Sequence, residues 1–202
     1  MKLPLHPAVC CATAVLLAAC SIRQPAVVTE NFTFDLPSAA RVTPGDQSIT
    51  VLPFTAAPTA SGQMFLYRAG GARYEHDFYN RFLAPPGQLL TDDLRRYLHQ
   101  SKVGPVREPG APLSSDYLVQ PRLDDLYADY RDTARPRAVV AMTIVLVARQ
   151  PAGNRQVFER TYRRAIPMDE ISPAAAVRGW SQGAGQIFWQ FTRDLRAAEP
   201  FE

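Results

Sequence analysis

Ala138-Val139-Val140-Ala141-Met142-Thr143-Ile144-Val145-Leu146-Val147-Ala148-Arg149 is the run whose reading decides the fold. It carries no charge before its last residue and is rich in β-branched side chains. A membrane-spanning helix needs roughly 20 apolar residues, and this run stops at about 12, so it reads as a buried central strand. Pro151-Ala152-Gly153-Asn154 then turns the chain. Residues 156–164 (QVFERTYRR) return as an antiparallel partner, with Phe158 and Tyr162 on one side and Glu159, Thr161 and Arg163 on the other. Ser172-Pro173 opens a long helix, the serine as N-cap and the proline at the first helical position. Trp180, Ala184, Ile187, Phe188, Phe191 and Leu195 mark its buried face. Gly179, Gly183 and Gly185 lower its propensity, which points to close packing of that helix on the sheet.

Upstream, residues 116–130 (DYLVQPRLDDLYADY) read as a strand with Tyr117, Val119 and Leu123 on one face. Before it, Pro85-Pro86-Gly87 starts a first helix. Leu89, Leu90, Leu94, Tyr97 and Leu98 recur at helical spacing, and Gly104-Pro105 stops it. Four earlier strands are expected over residues 32–36, 48–54, 64–68 and 73–79, with a hairpin turn at Gly70-Gly71. The order of strands, helix, strands, helix implies an α+β fold, a mainly antiparallel sheet with two helices packed on one face.

At 202 residues the chain suits one domain plus accessories, and its 47% hydrophobic content is ample for a core. The net charge of +3 comes from scattered arginines interleaved with acids, which is not the footprint of a nucleic-acid binder. The three cysteines are Cys10, Cys11 and Cys20. None follows Cys20, so the remainder has no thiol for a disulfide, a zinc site or a nucleophile.

Those cysteines belong to the leader. Met1-Lys2 is a short positive segment, and residues 8–19 (AVCCATAVLLAA) are an uncharged run too short to span a bilayer. Leu17-Ala18-Ala19-Cys20 follows. It resembles the bacterial lipobox, in which the cysteine thiol is diacylated with palmitate-like chains and the leader is cut before it, here between Ala19 and Cys20. The competing reading is an ordinary secretory signal with an incidental cysteine. Two or more acyl chains hold a protein on a membrane durably, at about 0.8 kcal/mol per buried methylene. Ser21, rather than aspartate, follows the cysteine. By the enterobacterial sorting rule that it resembles, this directs the protein to the outer membrane, facing the periplasm. The organisation is therefore a signal peptide over 1–19, a lipidated tether over 20–30 and a folded domain over 31–198.

Catalytic chemistry is sparse. His6 belongs to the leader, leaving His76 and His99. His99 sits near the end of the first helix on its polar side, where a solvated or dipole-compensating role is expected. His76 neighbours Asp77, but adjacent strand residues point to opposite faces and do not form a dyad. The chain has no nucleophile elbow, zinc-protease motif, P-loop or dinucleotide fingerprint. Asp92-Asp93 and Asp124-Asp125 read as a carboxylate pair or metal site on one view and as a solvated helix start and strand end on the other. The solvated view fits better, so a non-enzyme without cofactor or metal is expected.

Two features suit binding. One is the aromatic and basic run Tyr67, Arg73, Tyr74, Phe78, Tyr79, Arg81 and Phe82, because tyrosine and arginine favour protein interfaces. About half of its members are equally explained as core. The other is Trp189, which falls off the apolar stripe of the second helix and either meets a partner or lipid or covers a sheet edge.

Several short motifs carry a family likeness. They are the lipobox, Val51-Leu52-Pro53-Phe54, Tyr67-Arg68, Tyr79-Asn80-Arg81-Phe82, Pro85-Pro86 and Leu89-Leu90-Thr91-Asp92-Asp93-Leu94-Arg95. With the closing aromatic helix, they resemble the ABC-type transport auxiliary lipoprotein family, the PqiC-like, MCE-associated outer-membrane lipoproteins. Where that family commonly has tryptophan, this chain has Phe82. The resemblance implies a non-catalytic adaptor that works with an MCE-domain protein and an inner-membrane ABC-type transporter. That system would move lipids or hydrophobic compounds between the two membranes. It further implies ring-like homo-oligomers. The alternative is a structural or assembly lipoprotein, such as a barrel plug or an envelope scaffold.

Overall fold

The computed structural model describes residues 28–111 and 114–198. The signal peptide, the Ala19/Cys20 cleavage point, the Cys20 anchor and most of the tether lie outside the described residues. Among the described residues no helix is long and apolar enough to cross a membrane.

The fold is α+β, with nine strands in one mixed sheet and two helices. The strands are β1 (Glu30–Phe32), β2 (Ile49–Val51), β3 (Thr55–Ala56), β4 (Met64–Gly70), β5 (Arg73–Phe82), β6 (Val106–Arg107), β7 (Tyr117–Asp129), β8 (Arg137–Ala148) and β9 (Arg155–Pro167). Helix α1 spans Pro86–Ser101 and α2 spans Pro173–Ala197. The long strands β7, β8 and β9 form an antiparallel meander, as the apolar run and its return strand require. Gly153, at φ +123, supplies the left-handed residue in the β8–β9 turn.

The expectation of a mainly antiparallel sheet is corrected on the other edge of β7. There β2, β3 and β4 lie in file, all parallel to β7, opposite Tyr117–Val119, Arg122–Leu123 and Ala128–Asp129 respectively. The physical reason is α1. It carries the chain from beside Phe54 back to beside Val42, so β7 starts next to β2 and runs the same way, although β5, the strand before α1, runs the opposite way. β1 also pairs parallel with β5, and β2 with β6. Two expected strands are shorter than their pattern. The first forms at Glu30–Phe32, and Phe34 instead enters the core at 6% exposure. The second breaks at Pro53 into β2 and β3.

Both helices feed one core with the alternate residues of β7 and β8. Leu90, Leu94 and Leu98 of α1 join Trp180, Phe188 and Phe191 of α2, Val119 and Leu123 of β7, and Met142 and Ile144 of β8. α2 sits very close to the sheet. A Cβ on Gly179 would overlap that of Ala138, and one on Gly183 would lie 2.6 Å from Val140 Cγ1. At Gly185 the near neighbour is Pro37, at 2.5 Å. Ser172 Oγ caps the helix by accepting the Ala175 N–H at 3.1 Å. α1 docks through Thr91, whose hydroxyl accepts the Phe54 N–H at 2.9 Å, and through Arg95, which donates to the Val51 carbonyl at 2.9 Å.

Between the stretches of β7 that β3 and β4 cover, the Trp180 indole donates to the Tyr127 carbonyl at 3.1 Å. A core tryptophan thus satisfies an acceptor that the gap in the parallel file would otherwise strand.

Candidate functional site

The surface that stands out is the β4–β5 hairpin and the helix-free face beside it. The turn uses Gly71 at φ +34, and Arg68 donates to its carbonyl at 2.7 and 2.9 Å. β1 covers β5 only at Asn80–Phe82, so the stretch from Arg73 to Tyr79 forms a strand pair with β4 alone among the described residues.

On the helix-free face the register brings Arg68 opposite Tyr74. The Arg68 guanidinium lies 5.6 Å from the Tyr74 ring, and Tyr74 meets Tyr127 edge-on at 5.5 Å. Arg163 of β9 donates to the Tyr127 hydroxyl at 2.9 Å and forms an ion pair with Asp125. These side chains make an aromatic and arginine ladder across four strands.

At its foot is a groove of about 420 Å³, lined by Arg68, Arg131, Arg135, Arg137 and Arg163 with Asp129 and Asp132. Arg131 grips Asp129 at 2.6 Å and Arg135 grips Asp132 at 2.8 Å. The Arg131 hydrogen bonds hold the Asp129 carboxyl below the ordinary range. With five cations against two anions, the groove suits an anionic group.

Asp77 is the structural pivot of the hairpin. Its carboxylate accepts the Tyr67 hydroxyl at 2.7 Å, the Tyr79 and Asn80 N–H groups at 2.9 and 3.1 Å, and Asn80 Nδ2 at 2.8 Å. Burial alone raises this carboxyl, but the four donors outweigh it and hold it below the ordinary range. Burial, then the bond to Asp77, pushes the Tyr67 phenol well above its ordinary value. Neighbouring Tyr130 is pushed up to about 12 by burial and the Asp77 charge. The network pins a register shift in which Phe65 faces Asp77 while Met64 faces Arg81. The skipped residues include Phe78 and Tyr79, which are 73% and 57% exposed.

The residues expected to bind a partner divide as follows. Arg73 and Tyr79 are exposed on β5. Arg81 is exposed too, with Nε bonded to Asn31 Oδ1 at 3.0 Å. Tyr67 is half-buried on Asp77. Phe82 needs correction: at 2% exposure it stacks on Phe34 at 4.9 Å and packs on Phe65 and Trp180, so its side chain is withdrawn from the surface. Trp189 is 44% exposed beneath the Arg193 guanidinium. It sits nine residues, about 13 Å of helix, beyond the Trp180 that underlies the hairpin, so it does not join the site.

Sequence reasoning passed over the ladder residues Arg68, Tyr127 and Arg163 and the groove arginines. The one available signal was Arg131-Asp132-Thr133-Ala134-Arg135-Pro136-Arg137, three arginines in a loop between two long strands. Among the described residues no group of three histidine, aspartate or glutamate side chains could hold a metal ion.

No family model matches the sequence, and none of the curated proteins matches it. Solved structures do. Protein XCC0632 from Xanthomonas campestris, of family DUF330, aligns at a TM-score of 0.70 with 17% identity, over 83% of this chain and 99% of that one. An uncharacterised protein aligns at 0.63 with 16% identity, over 80% and 99%. The hypothetical protein CT253 from Chlamydia trachomatis aligns at 0.51 with 10% identity, over 75% and 94%. At these identities the likeness is one of fold. The family resemblance drawn from the sequence is thereby corrected: no model supports the ABC-type transport auxiliary assignment, and the neighbour with a stated family carries DUF330.

Proposed function

We propose that this chain is a lipid-anchored, periplasm-facing adaptor of the outer membrane, without catalytic activity. It serves an ABC-type system with an MCE-domain protein, moving lipids or hydrophobic compounds between the inner and outer membranes. One observation carries the reading. The hairpin presents an open strand edge, exposed Arg73, Tyr74 and Tyr79, and an aromatic and arginine ladder running to a cationic groove. Tyrosine and arginine are the side chains that concentrate binding energy at protein interfaces. The reading also leans on Leu17-Ala18-Ala19-Cys20 as the anchor and on the lack of thiol chemistry after it.

The test is affinity capture of the full chain from gently solubilised membranes. Co-purification of an MCE-domain protein, lost in Arg68→Ala/Tyr74→Ala, supports the adaptor. Consistent capture of an outer-membrane barrel or of peptidoglycan overturns it in favour of an assembly or scaffold lipoprotein. Cys20→Ala is expected to abolish lipidation, read as the loss of the acyl mass from the mature chain.

A further inference from the structure

Of the eight large hydrophobic residues that stand exposed among the described ones, five share one end of the β1–β5–β4 ribbon. They are Val28 (77% exposed), Met64 (38%), Phe78 (73%), Tyr79 (57%) and Leu83 (67%). The register places them together. Glu30 pairs with Asn80 and Met64 with Arg81, while the Leu83 N–H donates to the Phe32 carbonyl at 2.8 Å. This is the end of the hairpin away from the Gly71 turn. The Asp77 network does not cover these side chains. It fixes the bulge that turns Phe78 and Tyr79 outward.

The chain enters the fold at the same place. Glu30 lies ten residues after Cys20. Even fully extended, that segment reaches about 35 Å. A lipid on Cys20 therefore holds this end of the ribbon within about 35 Å of the bilayer. Apolar side chains flanked by a tyrosine and an arginine match the boundary between headgroups and acyl chains. There aromatic rings are favoured, and a guanidinium meets phosphate. Arg81 bonds to Asn31 through Nε, and among the described residues its terminal amino groups remain available for that role.

Resting on the anchor reading above, we propose that Phe78, Tyr79 and Leu83, with Val28, insert into the surface of the membrane that holds the anchor. The tether then works together with a second, protein-borne contact that sets the orientation of the domain.

The test uses the lipidated mature chain in phosphatidylethanolamine–phosphatidylglycerol vesicles with brominated or unbrominated acyl chains. Phe78→Trp and, separately, Leu83→Trp are made in a Trp189→Phe background, leaving fully buried Trp180 as the internal reference. Insertion is read as a blue shift and as loss of emission from the introduced indole in brominated vesicles only. Co-flotation of the chain with equal emission in both lipids overturns the membrane contact and leaves the anchor standing. A chain that does not co-float overturns the anchor reading and this contact with it. A fall in oligomeric mass caused by Phe78→Ser/Leu83→Ser assigns the patch to a second copy of the chain and overturns the proposal.

Discussion

The α2 side of the sheet and the β4–β5 hairpin use one device to opposite ends. In each, a carboxylate takes a tyrosine hydroxyl at 2.7 Å, Asp194 from Tyr162 and Asp77 from Tyr67. On the α2 side, Asp194 also holds Arg160 at 2.7 Å, which ties the helix down on β9. The aromatics of that helix's inner face, Trp180, Phe188 and Phe191, are fully buried. On the hairpin, Asp77 spends its remaining capacity on backbone N–H groups and so fixes a bulge. The aromatics beyond it, Phe78 and Tyr79, stand in solvent. Aromatic content alone therefore does not distinguish core from surface in this chain. What a clamped carboxylate holds next to it does.

Substitutions can break this contrast or sharpen it. The largest effect is expected from Trp180→Ala, at about 3–5 kcal/mol in denaturant unfolding, from the cavity and the Tyr127 carbonyl it abandons. A cost below that of an ordinary surface change would mean that the buried side is not the stabilising one. Gly179→Ala comes next, at about 1–3 kcal/mol, because the added methyl overlaps Ala138 and the helix must lift. A neutral result would show that α2 can slide without penalty.

The third effect is pH-dependent. Asp77 has a depressed folded value, so its contribution is fully present above the unfolded carboxylate value of about 4 and is lost as pH falls toward the folded one. Asp77→Asn should therefore weaken the acid dependence of unfolding at pH values below about 4, and an unchanged acid limb would detach the network from stability. The smallest is Phe78→Ser, expected within about 0.5 kcal/mol of the parent. A larger loss would move Phe78 into the structural half of the comparison.

Much of the fold was legible where a single element carries its own period. The N-cap at Ser172, the buried face of α2 and the length of β8 follow from local pattern, and the glycines of α2 do lie against the sheet at Gly179 and Gly183. Strand direction was not legible. β2, β3 and β4 are two to seven residues long, and their parallel pairing follows from a crossover through α1. The binding run was half legible. Its alternation hid the bulge after Asp77, so Phe82 read as surface although it is core. The ladder depends on register between Tyr127 and residues 36 and 53 positions away, Arg163 and Tyr74, which no local pattern encodes. The motifs behind the family resemblance have a simple physical reading too. Val51, Phe54, Phe82, Leu90 and Leu94 are buried in this core, so such motifs report a shared fold more readily than a shared task.

The file of short parallel strands along β7 has a consequence in time. β2 cannot pair until β6 and β7 arrive, more than fifty residues later, and Ser48 and its partner Asp116 are 68 positions apart. The meander β7–β8–β9 and α2 are by contrast contiguous, and close with short connections. Non-local parallel pairing is the slow step of such a topology. A chain delivered N-terminus first thus carries β2 and β3 unpaired until β6 and β7 are present, while the β4–β5 hairpin closes on itself. Until β7 arrives the hairpin lacks its third strand, and any factor that protects this chain in transit has residues 28–82 to guard.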